Sequence, residues 1–132
     1  MSDTSRTGAV LYATQLDRVA TFYSRVLGLT EAARADDHIL LESPGFQLVV
    51  HRIRGGESAA DGRPAAPVRR ASAAFKPVFF VPSIAALRQV AEAHGGALEP
   101  ASQEWSFNGV TVCDALDPEG NVIQFREETG RR

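Results

Sequence analysis

The chain has 132 residues, of which 44% are hydrophobic and 23% are charged, a length and composition typical of one globular domain with its own core. Its 14 basic and 16 acidic side chains give a formal net charge of −2, so we expect neither the basic patch of a nucleic-acid-binding protein nor a polybasic membrane anchor. One cysteine, no apolar leader and no stretch long enough to span a bilayer predict a cytoplasmic protein without disulfides.

The first half of the chain predicts a strand, a helix and then further strands. Apolar residues recur at helical spacing from Leu16 to Leu27, and Gly28 is a typical residue to end such a helix. Ser43-Pro44-Gly45 predicts a hairpin-like turn. Short apolar runs predict the strands, which are 8–13, a weaker one at 29–34, 38–42 and 46–53.

The same order of signals returns after a polar, glycine- and proline-rich segment at about 54–73, which we interpret as a linker loop. Ser83 predicts the start of a second helix, and Gly95-Gly96 predicts its end. The residues 117–121, Asp-Pro-Glu-Gly-Asn, predict a turn between two late strands. The strands predicted in this half are 75–81, a short one at 97–99, 110–113 and 122–125.

The two halves are similar enough to predict an internal repeat. Residues 10–16 align with residues 78–84 at an offset of 68, and Phe46-Gln47-Leu48 matches Ile123-Gln124-Phe125. We therefore predict one domain, 1–132, made of two βαβββ modules at about 7–53 and 74–128. Two unrelated α+β halves are the alternative.

Two motifs carry a resemblance to a known family. Residues 16–29 resemble the first-helix signature of the vicinal-oxygen-chelate superfamily, and residues 114–125 resemble its late turn and last strand. The superfamily includes glyoxalase I, bleomycin-resistance proteins and extradiol dioxygenases. The resemblance implies an α+β fold in which two βαβββ modules form a curved mixed sheet around a cavity, usually in a homodimer. It does not imply a particular reaction.

The resemblance also implies positions for a divalent metal, two in each module. The corresponding residues here are Gly8, Gln47, Lys76 and Gln124. Gly8 offers no side chain, and an ammonium at Lys76 repels a cation by about 4 kcal/mol per unit charge at 4 Å. Two neutral amides are weak compensation, so we expect no cofactor, a divalent metal being the alternative.

Lys76 therefore suggests a fixed positive charge where relatives hold a metal. Flanked by the two glutamines, it predicts a site for a small anionic or aromatic ligand. A lysine that reaches into solvent and a catalytic lysine are the alternatives. The predicted ligand-binding residues are Lys76, Gln47, Gln124, His51, Trp105 and Tyr12.

Other chemically interesting side chains can be placed only coarsely. His51 shares a strand face with Gln47 by period two, whereas His38 is predicted at the surface and His94 at the end of the second helix. Trp105 and Phe107 are predicted in a loop before Asn108-Gly109 that covers the cavity and stacks on a flat ligand, with ordinary packing at a dimer interface as the alternative. Cys113 is interpreted as a buried thiol, with a nucleophile as the alternative.

The leading hypothesis is a metal-independent, homodimeric small-molecule binding protein of the glyoxalase/bleomycin-resistance type. The ligand is bound in the cavity between the modules, with no nucleic-acid or membrane partner. A metal-dependent lyase, isomerase or dioxygenase, completed by His51 or a dimer mate, is the alternative. A structural or regulatory dimer without a ligand is the third hypothesis.

Overall fold

The computed structural model describes residues 6–53 and 66–129. The chain divides into two compact units, residues 1–64 (unit 1) and residues 65–132 (unit 2). Of the predicted linker, residues 54–65 lie outside the described residues, and residues 66–73 form neither helix nor strand.

Unit 1 is a four-stranded mixed sheet with one helix. The strand order is β1-β4-β3-β2; β1 and β4 are parallel, and the other neighbours are antiparallel. The crossover through the helix makes β2 run parallel to β1. Two antiparallel steps, from β2 to β3 and from β3 to β4, then bring β4 back to the direction of β1. The elements are β1 (Thr7–Ala13), α1 (Leu16–Leu27), β2 (Thr30–Arg34), β3 (His38–Ser43) and β4 (Phe46–Arg52).

The helix α1 covers one side of the unit 1 sheet with a continuous apolar stripe. Gly28 ends the helix at a φ of 72°, a left-handed conformation that favours glycine. The helix and all four strands of this half confirm the sequence prediction, including the weaker strand before Arg34. The buried residues of the helix are Leu16, Val19, Ala20, Phe22, Tyr23 and Val26.

Unit 2 repeats this plan with an additional strand. The strand order is β5-β9-β8-β6, and β7 pairs with the other end of β8; β5 and β9 are parallel, the remaining pairs antiparallel. Ser83 begins the helix, its hydroxyl accepting from the amide of Ala86 at 3.1 Å, as predicted. The elements are β5 (Val78–Phe80), α2 (Ile84–Ala93), β6 (Ala97–Leu98), the 3₁₀ helix Ala101–Gln103, β7 (Trp105–Phe107), β8 (Val110–Leu116) and β9 (Val122–Glu128).

Two local predictions for this half are wrong. The predicted strand 75–81 shortens to Val78–Phe80, because Pro77 has no N–H to extend the ladder. Trp105 lies in a strand rather than in a covering loop. Asn108 and Gly109, at φ values of 50° and 77°, form a tight two-residue turn that folds this segment back along β8.

Each sheet has one side facing its helix and an opposite side, which we call the open face. Tyr12 and Phe80 lie on the open faces and are 58% and 62% exposed. Phe79 points to the helix side, where its register partner Phe125 is fully buried. None of the helices in the described ranges is long and apolar enough to cross a membrane.

Candidate ligand-binding site

The open face of unit 2 carries a connected row of polar side chains. Residues that are directly paired on neighbouring strands share a face, so Asp114 and its partner Gln124 point the same way. Arg126, two residues beyond Gln124, lies on that face too. Lys76, which precedes β5, extends its side chain to the same row. We call these four residues the polar row.

The hydrogen bonds of the polar row converge on the Asp114 carboxylate. Lys76 Nζ donates to both oxygens of Asp114, at 3.2 and 3.1 Å. Gln124 Nε2 donates to Asp114 Oδ1 at 3.0 Å, and Arg126 Nε donates to Gln124 Oε1 at 2.8 Å. Gln124 is only 5% exposed, so both ends of its amide are satisfied in a buried position.

The charges of the polar row leave one cation in excess. Asp114 forms an ion pair with Lys76, in which the lysine side chain is 41% exposed and the aspartate 16%. Arg126 has a neutral hydrogen-bond partner, the Gln124 amide, in place of a carboxylate. Among residues 6–53 and 66–129, its terminal guanidinium nitrogens make no hydrogen bond or ion pair. The arginine therefore offers up to four N–H donors to an anion.

Aromatic side chains accompany this cation. The guanidinium carbon of Arg126 lies 5.4 Å from the ring centroid of Phe107, within cation–π range. Trp105 stands opposite Val112, which in turn stands opposite Arg126, so all three share the open face. Trp105 and Phe107 are 45% and 47% exposed. Flat, exposed apolar surface thus lies beside a cation.

A shallow depression of about 400 Å³ adjoins the polar row. It is lined by Phe80, Val81, Pro82 and Glu128. Phe80 is the register partner of Arg126 on the neighbouring strand, so the depression begins where the arginine lies. The geometry suits a flat group beside Phe80 with its charged end toward the guanidinium.

Unit 1 places the other predicted residues on its own open face. Gln47 Nε2 donates to Glu42 Oε2 at 3.1 Å, and Arg6 Nη2 donates to the same oxygen at 3.1 Å. The hydrogen bond from Gln47, and then that from Arg6, lowers the pKa of the Glu42 carboxyl. Gln47 therefore belongs to an exposed ion-pair cluster at the Ser43-Pro44-Gly45 end of the sheet.

The remaining unit 1 residues lie at the opposite end of that face. The rings of Tyr12 and His51 have centroids 5.7 Å apart. The structure thus brings Lys76 together with Gln124 and Tyr12 together with His51. Trp105 shares the face of the polar row. The role of these residues in ligand binding stays a prediction.

Sequence reasoning missed Asp114 and Arg126, and it placed Phe107 in a loop instead of a strand. Two signals were available. Arg126 follows Gln124 by two residues on the same strand, and the 117–121 turn implies that Asp114 stands across from Gln124 in a hairpin. The pairing of β7 with β8, which brings Phe107 to the same face, had no such signal.

The residues present do not fit the metal site that the family resemblance implies. A side chain at Gly8 would bring its Cβ within 2.9 Å of the Gln47 carbonyl oxygen, so position 8 has no room for a ligand. Lys76 is bound to Asp114 as a cation. In addition, Gly8 pairs with Gln47, whereas Gln124 pairs with Val78 and not with Lys76. The residue of unit 2 that corresponds to Gly8 in strand pairing is therefore Val78, two residues after Lys76.

Two βαβββ units, each a mixed sheet with one helix-covered side and one open face, define a protein of the glyoxalase/bleomycin-resistance fold class. A family model described as a glyoxalase-like domain matches residues 8–125. The chain belongs to this glyoxalase-like family, which is part of the vicinal-oxygen-chelate superfamily. The resemblance drawn from the two sequence motifs is thereby confirmed, as is the α+β fold.

Solved structures with the same fold are distant in sequence. A glyoxalase/bleomycin resistance protein/dioxygenase family enzyme from Burkholderia phytofirmans PsJN has a TM-score of 0.68 and 20% identity, covering 96% of this chain and 99% of that one. The bleomycin resistance determinant encoded on transposon Tn5 has a TM-score of 0.63 and 15% identity, covering 96% and 100%. Lactoylglutathione lyase from Agrobacterium tumefaciens has a TM-score of 0.61 and 19% identity, covering 96% of both chains. No curated protein sequence matches this chain.

Proposed function

We propose that this protein binds a small, flat, anionic ligand on the open face of unit 2 and does so without a metal ion. The observation that carries the proposal is the Arg126 guanidinium, held by the neutral amide of Gln124 and lying over Phe107. A carboxylate, phenolate or enolate pairs with such a guanidinium, and an aromatic body packs against the neighbouring rings.

Within this proposal the predicted role of Lys76 changes. Its ammonium is paired with Asp114, so it neutralises the carboxylate nearest the anion instead of contacting the ligand itself. Without Lys76, the Asp114 charge would repel an anion at Arg126. The lysine therefore acts as a positioning and charge-balancing residue, and Arg126 acts as the direct contact.

The test uses benzoate and 2-naphthoate, with the neutral amide of each as a matched control. Trp105 is the chain's only tryptophan, so its indole N–H gives a single NMR cross-peak on the proposed binding face. We expect the acids to shift this peak saturably and the amides to bind at least about tenfold more weakly, the scale of one charge-assisted hydrogen bond. Equal binding of acid and amide would contradict the anionic specificity.

Substitutions test which side chain contacts the bound acid. Arg126→Gln is expected to weaken binding of the acids about 10- to 100-fold, whereas Arg70→Gln, at an exposed arginine of the same unit, is expected to leave it unchanged. Lys76→Ala should weaken binding severalfold. A Lys76→Ala protein with full affinity would remove the lysine from the proposal.

Metal independence is tested on the same probes. We expect protein dialysed against EDTA to bind the acids with unchanged affinity. The metal-dependent lyase, isomerase or dioxygenase alternative requires the opposite result, together with stoichiometric metal near Gln47 and Gln124. The donor set at the family's metal positions does not favour that alternative.

We further propose that the chain forms a homodimer. The support is exposed apolar surface on the open faces, where Val10 is 55% exposed and Tyr12 is 58% exposed, since large exposed apolar side chains are typical of association surfaces. Light scattering after size exclusion measures the mass of the particle. A mass near 14.2 kDa at all concentrations would exclude the dimer.

A further inference from the structure

One cluster of metal-ligating side chains lies away from the polar row. Asp37, His38 and His51 each offer one donor atom, and these atoms lie within 4.8 Å of one another. His38 Nδ1 is 2.8 Å from Asp37 Oδ1, and His51 Nε2 is 3.8 Å from Asp37 Oδ2. The two imidazole rings stack at 5.9 Å with an interplanar angle of 11°.

The backbone holds these three residues together independently of their side chains. His38 and His51 are register partners on β3 and β4. The turn that carries Asp37 is fastened to the end of β4, because the Arg52 amide donates to the Asp37 carbonyl at 2.7 Å and Arg52 Nη2 donates to the Asp36 carbonyl at 2.8 Å. The cluster therefore stands on a rigid strand pair rather than on a free loop.

The hydrogen bond of His51 leaves a suitable nitrogen for a metal. Its Nδ1 lies 3.0 Å from the Arg52 carbonyl oxygen, which can only accept, so Nδ1 is the donor and, in the neutral imidazole, Nε2 has the free lone pair. Metal-binding histidines usually donate their second ring N–H to such a carbonyl or carboxylate. The lone pair of His51 is on the nitrogen nearest to Asp37.

Exposure allows the donors to converge on an ion. The side chains of His51, His38 and Asp37 are 35%, 40% and 59% exposed, so an ion reaches them from solvent. Tetrahedral metal bonds of about 2.0–2.2 Å place donor atoms about 3.3–3.6 Å apart. The donor atoms here lie within 4.8 Å of one another, so rotations of the partly exposed side chains must bring the more distant ones closer. Two imidazoles and one carboxylate suit a first-row transition ion better than magnesium or calcium.

We propose that Asp37, His38 and His51 form a binding site for a divalent transition-metal ion such as Zn²⁺, at the end of the unit 1 open face beside Tyr12. The site is separate in residues from the positions that the family resemblance implies. It goes beyond the proposed ligand site of unit 2 and does not depend on it. With three protein ligands, the ion keeps at least one coordination position for water or another small ligand.

The experiment titrates the full chain with Zn²⁺ alone, using calorimetry and competition against a chromogenic chelator. We expect one ion per chain. We expect each of the variants His51→Gln, His38→Gln and Asp37→Asn to weaken zinc binding at least about tenfold. Removing even a residue that only hydrogen-bonds to a metal ligand typically has an effect of this size. The matched control is His94→Gln, because His94 is the only other histidine of the chain and lies at the end of α2; it should bind as the original chain does.

A second measurement keeps the test decisive if a variant fails to fold. In the unaltered protein, Zn²⁺ should shift the imidazole NMR signals of His38 and His51 and leave those of His94 in place. Shifts confined to His94, or affinity unaffected in His51→Gln, would overturn the proposal. Arg126→Gln should retain zinc binding while losing benzoate binding, so failure of this site and failure of the proposed function are distinguishable.

Discussion

The two α-helices in the described part of the chain occupy matching places in their units but are held by different forces. The helix α1 buries six apolar residues against its sheet, whereas α2 buries only Ile84 and Ala91. In unit 2 a half-buried arginine, Arg88, takes part of that role. Its Nη1 donates to the Glu99 carbonyl at 2.6 Å, and its Nη2 pairs with the Glu104 carboxylate.

The difference shows how one topology tolerates two kinds of packing. Apolar burial is non-directional and stabilises α1 in proportion to its area. Charge-assisted hydrogen bonds from Arg88 are directional, so they fix the position of α2 with less buried area. Cys113, whose Sγ is 3.9 Å from Arg88 Nη2, lies fully buried in this polar setting. The comparison can be tested by perturbing each unit separately.

The largest effect on the free energy of unfolding is expected from truncating one large buried side chain in each unit. Phe22 on α1 and Phe125 on β9 are both fully buried. We expect Phe22→Ala and Phe125→Ala each to lower the free energy of unfolding by about 3–5 kcal/mol, measured by urea denaturation. Phe75→Ala, at a side chain 74% exposed, is the control and should change it by less than about 0.5 kcal/mol. Similar losses in both units would show that α2's polar contacts supplement an apolar core rather than replace it.

A smaller effect is expected from the turns that join the last two strands of each unit. In unit 2, Asp117 is fully buried, and its carboxylate accepts hydrogen bonds from the amides of Glu119 and Asn121 at 2.9 and 3.0 Å and from Asn121 Nδ2 at 2.8 Å. Asp117→Ala leaves buried donors unsatisfied and should cost about 2–3 kcal/mol. Pro44→Ala, in the exposed turn of unit 1, should cost less than about 0.5 kcal/mol. Equal costs in thermal or urea unfolding would contradict this difference between the turns.

The smallest effect concerns Cys113, which has no counterpart in unit 1. Burial raises the pKa of its thiol above the ordinary value, an effect partly offset by the Arg88 charge. Between the ordinary thiol pKa, about 8.5, and the higher folded value, the unfolded chain binds fewer protons than the folded one. The free energy of unfolding must therefore decrease as pH rises through this window.

The matched variant for this prediction is Cys113→Ala. We expect the stability difference between the unaltered chain and Cys113→Ala to shrink from pH 7 to pH 9.5 in urea unfolding. A constant difference over this range would show that the thiol ionises as readily in the folded state as in the unfolded chain.

Local elements were predictable because their signals lie within a few residues. The apolar stripe of α1, its end at Gly28 and the Ser83 cap of α2 are each encoded within one or two helical turns, and all three are confirmed. The two failed predictions have different causes, the first local and the second tertiary. The strand expected at 75–81 was shortened at Pro77, and β7 formed because the Asn108-Gly109 turn paired it with β8.

The residues of the candidate site also divide into those that local sequence signals predicted and those that only tertiary contacts brought into the site. Lys76 and Gln124 could be proposed from their positions in two matching motifs. Arg126 as the available cation could not, because its availability depends on Asp114 pairing with Lys76 instead. That outcome is set by the register between β8 and β9 and by the reach of a lysine that precedes its strand.

By itself the amino-acid sequence determined the class of this protein, its two βαβββ repeats and the absence of good ligands at the family's metal positions. The class and the metal positions depend on the resemblance of two short motifs to a known family, and the repeat depends on the order of strand and helix signals. All of these are properties of short stretches of sequence. Only the tertiary structure decided which sheet face is open, which cation faces an anion, and that Asp37, His38 and His51 come together. Strand register sets those neighbours across distances that no local pattern encodes, since a shift of one residue turns every side chain to the other face.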